Sequence, residues 1–427
     1  MKIAIAGYGA EGKSNYTYFT SQGHELTIAD ERTSVDDLPE GVPTILGEDA
    51  FSKLNGFELV IRTAGLNPNK IVTDGKIWSA TNEFFAKCPA TIIGVTGSKG
   101  KGTTCSLIAS ILRAAEKTVH LVGNIGLPAL DELSSVQVDD IVVYELSSFQ
   151  LWDIEKSPHI AVVLGIEPDH LDVHENFTDY VAAKANIARF QTSDDVIVFN
   201  ADNTDSQSIS ELSQANKIAY PTKATAHVSD GWFYYNEHKL CSVEELKIPG
   251  VHNQNNACAA ISVAAQWTQD GSVIAKGLAS FEGLPHRLKF TRDVNGVSFY
   301  DDSIATTPGS AIAALKSFTA PKVVILGGSS KGADFGELAQ VASEQNIKLA
   351  ITIGEEADKL TTALGEVGVL TKNLGSNVSM NNIVYAATEA TVSGDVVILS
   401  PACASFGMYK NYADRGDQFI AAVNALE

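Results

Sequence analysis

Along this chain, short runs of β-branched and other apolar residues alternate with longer segments of helical character. That rhythm predicts α/β layers built on parallel sheets. "KIAIAG" reads as a buried strand running into "GYGAEG", "LTIAD" as a second strand ending on Asp30, and "FELVIRTAG" as a third. This unit ends near residue 80. A new unit opens at "ATIIGVTG", a strand that leads into a glycine-rich loop and the helix "TTCSLIASILRAAE". "IVVYELSS" and "IAVVLGIEPDH" read as further strands with acids and a histidine at their C-terminal ends. "GLPHR" (283–287) reads as a hinge into a last unit with strands "VVILGG", "LAITIG" and "DVVILSP". The pattern predicts three α/β domains in series, over residues 1–80, 81–284 and 285–427. The first and last are expected to be Rossmann-like and the central one a P-loop ATPase type. There is no internal repeat and no low-complexity tract.

In open α/β sheets ligands sit beyond the carboxyl ends of the strands, so the residues there carry the candidate chemistry. "GYGAEG" matches GxGxxG, and Asp30 follows Gly12 by eighteen residues. A dinucleotide would put its pyrophosphate on the helix N-terminus and its ribose on the acid. A sugar nucleotide needs the same physics, because its pyrophosphate also seeks backbone N–H groups and a helix dipole. A tight turn without ligand has the same spelling.

"TGSKGKGTT" (96–104) sits between a strand and a helix, the context of a phosphate-binding loop. Gly97, Gly100 and Gly102 let the backbone curl so that N–H groups point at phosphate oxygens, and Ser98 and Lys99 lie within the curl. Lys101 is placed to reach the β- and γ-phosphates of ATP, and a threonine hydroxyl to ligate Mg²⁺. An extra glycine before the first hydroxyl leaves that role between Thr103 and Thr104. Hard oxygen ligands are then needed nearby. Glu145, closing "IVVYE", and His170, after "LGIEPD", are the candidates. Lys184 in "YVAAKANI" reads by itself as a surface lysine.

Composition narrows the picture. The 427 residues exceed one ordinary domain, and 44% apolar with 19% charged residues suits large cores. A net charge of −20 argues against a nucleic-acid or anionic-membrane binder, which would need a basic face. No stretch approaches the roughly 20 apolar residues of a membrane span. The apolar start "MKIAIAG" is too short for a signal sequence. Five scattered cysteines without a CxxC pair fit free thiols in a reducing cytoplasm.

Several motifs meet here in one order: "TGSKGKGTT", "GNIGLPAL", "ELSSFQL", "PDHLDVH", "YVAAKANI", "GVHNQNNACAA", "GLPHRLK", "DDSIATTPGS", "LGGSSKGADF" and "SPACASFGMYKNYADRG". With them the chain resembles the Mur ligase family, ATP-dependent amide-forming enzymes of peptidoglycan synthesis related to folylpolyglutamate synthase. The spellings and the short first domain imply the activity that adds D-glutamate to UDP-N-acetylmuramoyl-L-alanine. A related Mur or folylpolyglutamate-type ligase that adds a different amino acid is the alternative. The resemblance makes "GYGAEG" a UDP cradle, with Gly9, Ala10, Asp30, Glu31 and Arg32 round the uracil and Thr63, Ala64 and Gly65 near the pyrophosphate. It places Asn124, Gln150 and His170 toward the muramoyl-alanine. Thr103, Glu145, His170 and a carbamylated Lys184 become ligands of Mg²⁺, two ions being expected. His252, Asn253, Asn256, Arg287 and Asp302 surround the adenosine of ATP. Thr306, Lys331, Ser405 and Tyr412 grip the incoming amino acid. The implied protein is a cytoplasmic monomer whose domains close over an acyl-phosphate intermediate.

Two positions depart from the family. Ile304 stands where a lysine approaching the phosphate is usual, and Lys99 stands where asparagine is usual. Lys99 either restores the charge missing at Ile304 or is a solvated loop lysine. A dehydrogenase built on "GYGAEG" would leave the phosphate loop, Glu145, His170 and the third unit without a task.

Overall fold

The computed structural model describes residues 1–124, 128–171, 173–330 and 332–426. The chain divides into two compact units. One comprises residues 1–246 with 254–280, the other residues 247–253 with 281–427.

The first unit holds two parallel sheets. One runs in the spatial order Thr44–Leu46, Glu25–Asp30, Lys2–Ala6, Leu59–Arg62, Lys76–Ser79. Its strands are apolar at successive positions because both faces are covered. Ile3, Ile5 and Ile61 enter one core with Phe84, Phe85 and Tyr144. Ala4, Ala6 and Val60 enter another with Phe51, Leu54 and Phe57. The first of these cores continues into the second sheet through Val142, Ala161 and Val163, so the two sheets share apolar packing. Each large apolar side chain buried there contributes about 1.5–3 kcal/mol.

The second sheet runs Asn216–Tyr220, Val196–Asn200, Ile160–Val163, Thr91–Thr96, Ile141–Glu145, Val119–Gly123, all parallel. Thr91–Thr96 is flanked by Ile141–Glu145 and Ile160–Val163, which brings three loop-bearing strand ends side by side. The strand expected over "IAVVLGIEPDH" stops at Val163. Beyond it Leu164 N still bonds Thr96 O at 2.9 Å, and the chain then runs as loop. A small antiparallel sheet, Ala226–Ser229, Trp232–Tyr235 and His238–Ser242, was not foreseen in the pattern.

The second unit carries a sheet in the order Lys289–Val294, Val297–Asp301, Val396–Leu399, Lys322–Gly327, Ile347–Ile353, Thr371–Gly375. The three strands expected from "VVILGG", "LAITIG" and "DVVILSP" lie together in it. The edge pair 289–301 is an antiparallel hairpin. Alternate residues of the central strand serve opposite cores: Val323 and Ile325 pack with Phe419, Val324 and Leu326 with Leu338 and Leu360. Among the described residues no helix is long and apolar enough to cross a membrane.

Candidate functional site

The loop after Thr96 is shaped by its glycines. Gly100 has φ +84°, and a Cβ there would sit 2.4 Å from Asn256 Oδ1, so only glycine lets Asn256 lie against the loop. Gly100 also caps the helix Lys101–Ala114, whose N-terminus points its free N–H groups and dipole at the curl. Lys101 folds back over that curl, its Nζ 3.0 Å from both Gly97 O and Ser98 O. Ser98 Oγ donates to Glu167 O at 2.7 Å and meets Tyr180 Oη at 2.9 Å. Among the described residues Lys99 makes no hydrogen bond into the curl; it forms an exposed ion pair with Glu167 at 3.0 Å. Thr103 is buried. Thr104 is fully buried, and its hydroxyl has no hydrogen-bond partner among the described residues.

Lys184 is no surface residue. It lies on the helix Phe177–Arg189, 1% exposed, with Nζ donating to Gly97 O at 2.9 Å and lying 4.5 Å from the centre of the Tyr180 ring. Burial drives its pKa well below the usual lysine range, and the Lys101 charge pushes the same way. Asp169 and Glu145 oppose the shift without cancelling it. Glu145 ends its strand and is buried. His170 has φ +53° and a half-exposed ring, 5.0 Å edge-on to Phe149. Among the described residues no three His, Cys, Asp or Glu side chains gather as a metal cluster. The remaining donors here are hydroxyl, carboxylate, imidazole and the amine of Lys184. A carbamate on that amine would add the oxygens a hard cation prefers.

His174, in the "PDHLDVH" motif but given no role from the sequence, is buried beneath His170. Its ring bonds Asp179 Oδ2 and Ser148 Oγ, each at 2.9 Å, and stacks on Phe149 at 5.5 Å. Its backbone N–H donates to His170 O at 3.0 Å. Gln150 belongs to a capping box: its Oε1 accepts from Ser147 N at 2.9 Å, closing the turn of Ser148–Leu151. Asn124 is exposed next to the Glu145 strand end, its N–H 3.5 Å from Glu145 O.

In the first sheet a cavity of about 460 Å³ opens at the strand ends, lined by Gly7, Glu31, Phe51, Thr63, Gly65, Leu66, Asn67, Lys70 and Val173. Three of the expected residues, Glu31, Thr63 and Gly65, are in its wall. Of the other wall residues, Phe51, Asn67 and Lys70 come from segments without a local motif, and Val173 is an apolar position of "PDHLDVH" that gave no signal of its own. Asp30 and Arg32 pair with each other at 2.8 Å, and Asp30 also accepts from Tyr8 N at 2.8 Å. The hydrogen bond from Arg32 holds the Asp30 carboxyl down at about 2. Gly9 caps the helix that begins at Ala10 and has open space above its Cα.

In the second unit Asp302 is buried, accepting from Ser400 Oγ at 2.6 Å and Leu288 N at 3.0 Å. Burial pushes its pKa up to about 7. His252 is pulled below its usual range by burial and by the Arg287 charge. Asn253 Nδ2 donates to Pro249 O at 2.6 Å. Ile304 N donates to His286 O at 3.0 Å, and Thr306 N to Ile304 O at 2.8 Å. Ser405 is buried, and Tyr412 is partly exposed, 6.2 Å edge-on to His286. Arg415, absent from the sequence-derived set, is fully buried and donates to Ser303 Oγ and to the carbonyls of Ser303, Cys403 and Ala404. Lys331 lies outside the described residues.

Residues 95–264 match the Mur ligase middle domain, and residues 286–403 match the Mur ligase, glutamate ligase domain. The chain belongs to the Mur ligase family. The middle-domain match takes in Lys101, Glu145, His170 and Lys184. The second match takes in Arg287, Asp302 and Thr306 and stops short of Ser405 and Tyr412. Among Mur ligase relatives, the UDP-N-acetylmuramoylalanine–D-glutamate ligase of Clostridium tetani is 35% identical over 449 residues, covering 100% of this chain and 97% of that protein. The enzyme of the same name from Symbiobacterium thermophilum is 34% identical, covering 100% and 98%. The crystal structure of UDP-N-acetylmuramate-alanine ligase MurC from Thermotoga maritima superposes with a TM-score of 0.63 at 18% identity, covering 100% of this chain and 99% of that one. MurF ligase from Thermotoga maritima, in complex with ADP, gives 0.60 at 18% identity, covering 98% and 93%. These two likenesses carry the fold.

Proposed function

We propose that this Mur ligase is an ATP-dependent, ADP-forming ligase that joins D-glutamate to UDP-N-acetylmuramoyl-L-alanine, in the cytoplasm, for peptidoglycan precursor synthesis. The observation that carries this reading is the convergence of Lys101 and Lys184 on one carbonyl of the phosphate loop, beside the Glu145 strand end. The end-to-end likeness to ligases of that name supports the choice of substrates. Residues 1–80 are assigned to the UDP-substrate, 81–284 to ATP and 285–427 to the amino acid.

The substrate carboxylate is a poor electrophile: it repels nucleophiles and has no leaving group. Transfer of the γ-phosphoryl group of ATP makes it an acyl phosphate. Lys101 and the loop's backbone N–H groups, other than those of Ser98 and Thr104, which donate to Gly165 O and Gly100 O, hold the phosphates and screen their charge. Thr103, Glu145, His170 and a carbamylated Lys184 would hold Mg²⁺, which when bound supplies further charge neutralisation between phosphate oxygens. Gly9, Ala10, Asp30, Glu31, Arg32, Thr63, Ala64 and Gly65 hold the UDP part, and Asn124, Gln150 and His170 face the muramoyl-alanine. Asn256 lies against the phosphate loop, and with His252, Asn253, Arg287 and Asp302 is assigned to the adenosine. Thr306, Ser405 and Tyr412, with Lys331, orient the amino acid. Its neutral amine attacks the acyl carbon, the tetrahedral intermediate expels phosphate, and an amide remains.

The route is tested with substrate whose carboxylate carries heavy oxygen. The phosphate released during ligation is expected to contain one heavy oxygen; phosphate without label would exclude the acyl phosphate.

A further inference from the structure

The strand Leu59–Arg62 ends on an arginine that is 0% exposed, with an apolar run before it. Its guanidinium has five N–H donors in a fixed fork. Nε and Nη2 clasp the Asp153 carboxylate at 2.6 and 2.5 Å. Nη2 also donates to Phe149 O at 2.9 Å. Nη1 faces three carbonyls of the next turn, Thr63 O at 3.3 Å, Ala64 O at 3.2 Å and Leu66 O at 3.3 Å. The Trp152 ring lies 5.8 Å away on the same segment as Asp153.

Two consequences follow from this geometry. Thr63, Gly65 and Leu66 line the 460 Å³ cavity of the first sheet, so the arginine fixes part of its wall from behind. It cannot touch a ligand there, being wholly buried, and Asp153 neutralises its charge. What it does is turn three carbonyl oxygens, the negative ends of their dipoles, toward itself. A cavity meant for a diphosphate gains from that, because carbonyl oxygens facing the phosphates would repel them. At its other end the guanidinium holds Phe149 and Asp153, which flank Gln150. Residues about 90 positions apart are thereby held by one side chain.

We propose that Arg62 is a positioning residue of the sugar-nucleotide site, orienting the 63–66 turn for the diphosphate and fastening it to the Phe149–Asp153 segment. The inference rests on the cavity being the UDP-substrate site. Removing Arg62 alone would strand the Asp153 charge, so the informative variant pairs Arg62→Met with Asp153→Leu. Replacing both members of a buried ion pair by apolar groups commonly preserves stability. Wild-type protein is first titrated with UDP-N-acetylmuramoyl-L-alanine in a calorimeter; no binding there overturns the functional reading itself. Given wild-type binding, the double variant is expected to melt cooperatively and to raise KM for the UDP substrate at least tenfold. Its KM for ATP should stay within twofold. Arg62→Lys, which retains the charge but not the fork, should fall between the two. An unchanged KM for the UDP substrate in the double variant overturns the proposal, and if that variant does not fold, an unchanged KM in Arg62→Lys does so.

Discussion

Lys101 and Lys184 donate to the same oxygen, the carbonyl of Gly97, at 3.0 and 2.9 Å. Two ammonium groups so placed repel each other, and the buried one yields. Burial first, and the Lys101 charge after it, push the Lys184 pKa well below the ordinary lysine range, toward the neutral amine. A neutral amine can attack carbon dioxide, forming a carbamate and releasing a proton. With isotopically labelled bicarbonate, a carbamate carbon resonance should be seen in the wild type and be missing in Lys184→Arg. The arginine variant should also lose at least a hundredfold in kcat. A fully active Lys184→Arg would remove the carbamate from the account.

Asp302 gives the second unit a pH-dependent stability. Its folded pKa, about 7, lies above the unfolded value of about 3.9. Between these values the folded protein holds a proton that the unfolded chain has released. Stability therefore falls as pH rises through that window, and the full cost, on the order of 4 kcal/mol, is present above pH 7. Asp302→Asn should raise the melting temperature at pH 8 and change it little at pH 4, while raising KM for ATP. Equal shifts at both pH values would show that Asp302 is ionised throughout.

Both threonines of the phosphate-loop helix are buried, and they differ in their hydroxyls. Thr104 Oγ1 is sealed without a partner, which costs stability, so Thr104→Val should stabilise by about 1 kcal/mol and keep activity. Thr103→Val should lower kcat and raise the Mg²⁺ concentration needed for half-maximal rate. The reverse outcome would move the metal-binding hydroxyl to Thr104.

Lys99 was a candidate to replace the charge missing at Ile304. Its ammonium is exposed and paired with Glu167, so Lys99→Ala should change ATP KM and kcat by less than twofold. A tenfold rise in KM would give Lys99 a phosphate contact after all.

Much of this was legible because it is local. Strand, glycine curl and helix follow one another within 91–114, and the end of "IVVYE" lies beside the curl because adjacent parallel strands finish together, whereas "LGIEPDH" runs as loop beyond Val163 and meets the curl through Ser98. Lys184 was not legible from its own surroundings: only the fold carries a helical lysine 87 residues down the chain back to Gly97. Arg62 gave a fainter signal. An arginine closing "ELVIR" implies a buried charge that needs a partner, but nothing nearby in sequence names Asp153. The small sheet 226–242 escaped because its strands are only four or five residues long and two of them, "AHVS" and "HKLCS", mix polar and apolar positions, and His174 because its partners, Ser148 and Asp179, belong to separate helices.

The central claim is tested most directly by phosphate release from ATP in the presence of UDP-N-acetylmuramoyl-L-alanine and, in turn, D-Glu, L-Glu, D-Asp and L-Lys. Release with D-Glu, accompanied by the ligated product, and background rates with the other three are the predicted result. Release with none of the four, or with another amino acid in preference to D-Glu, would contradict it.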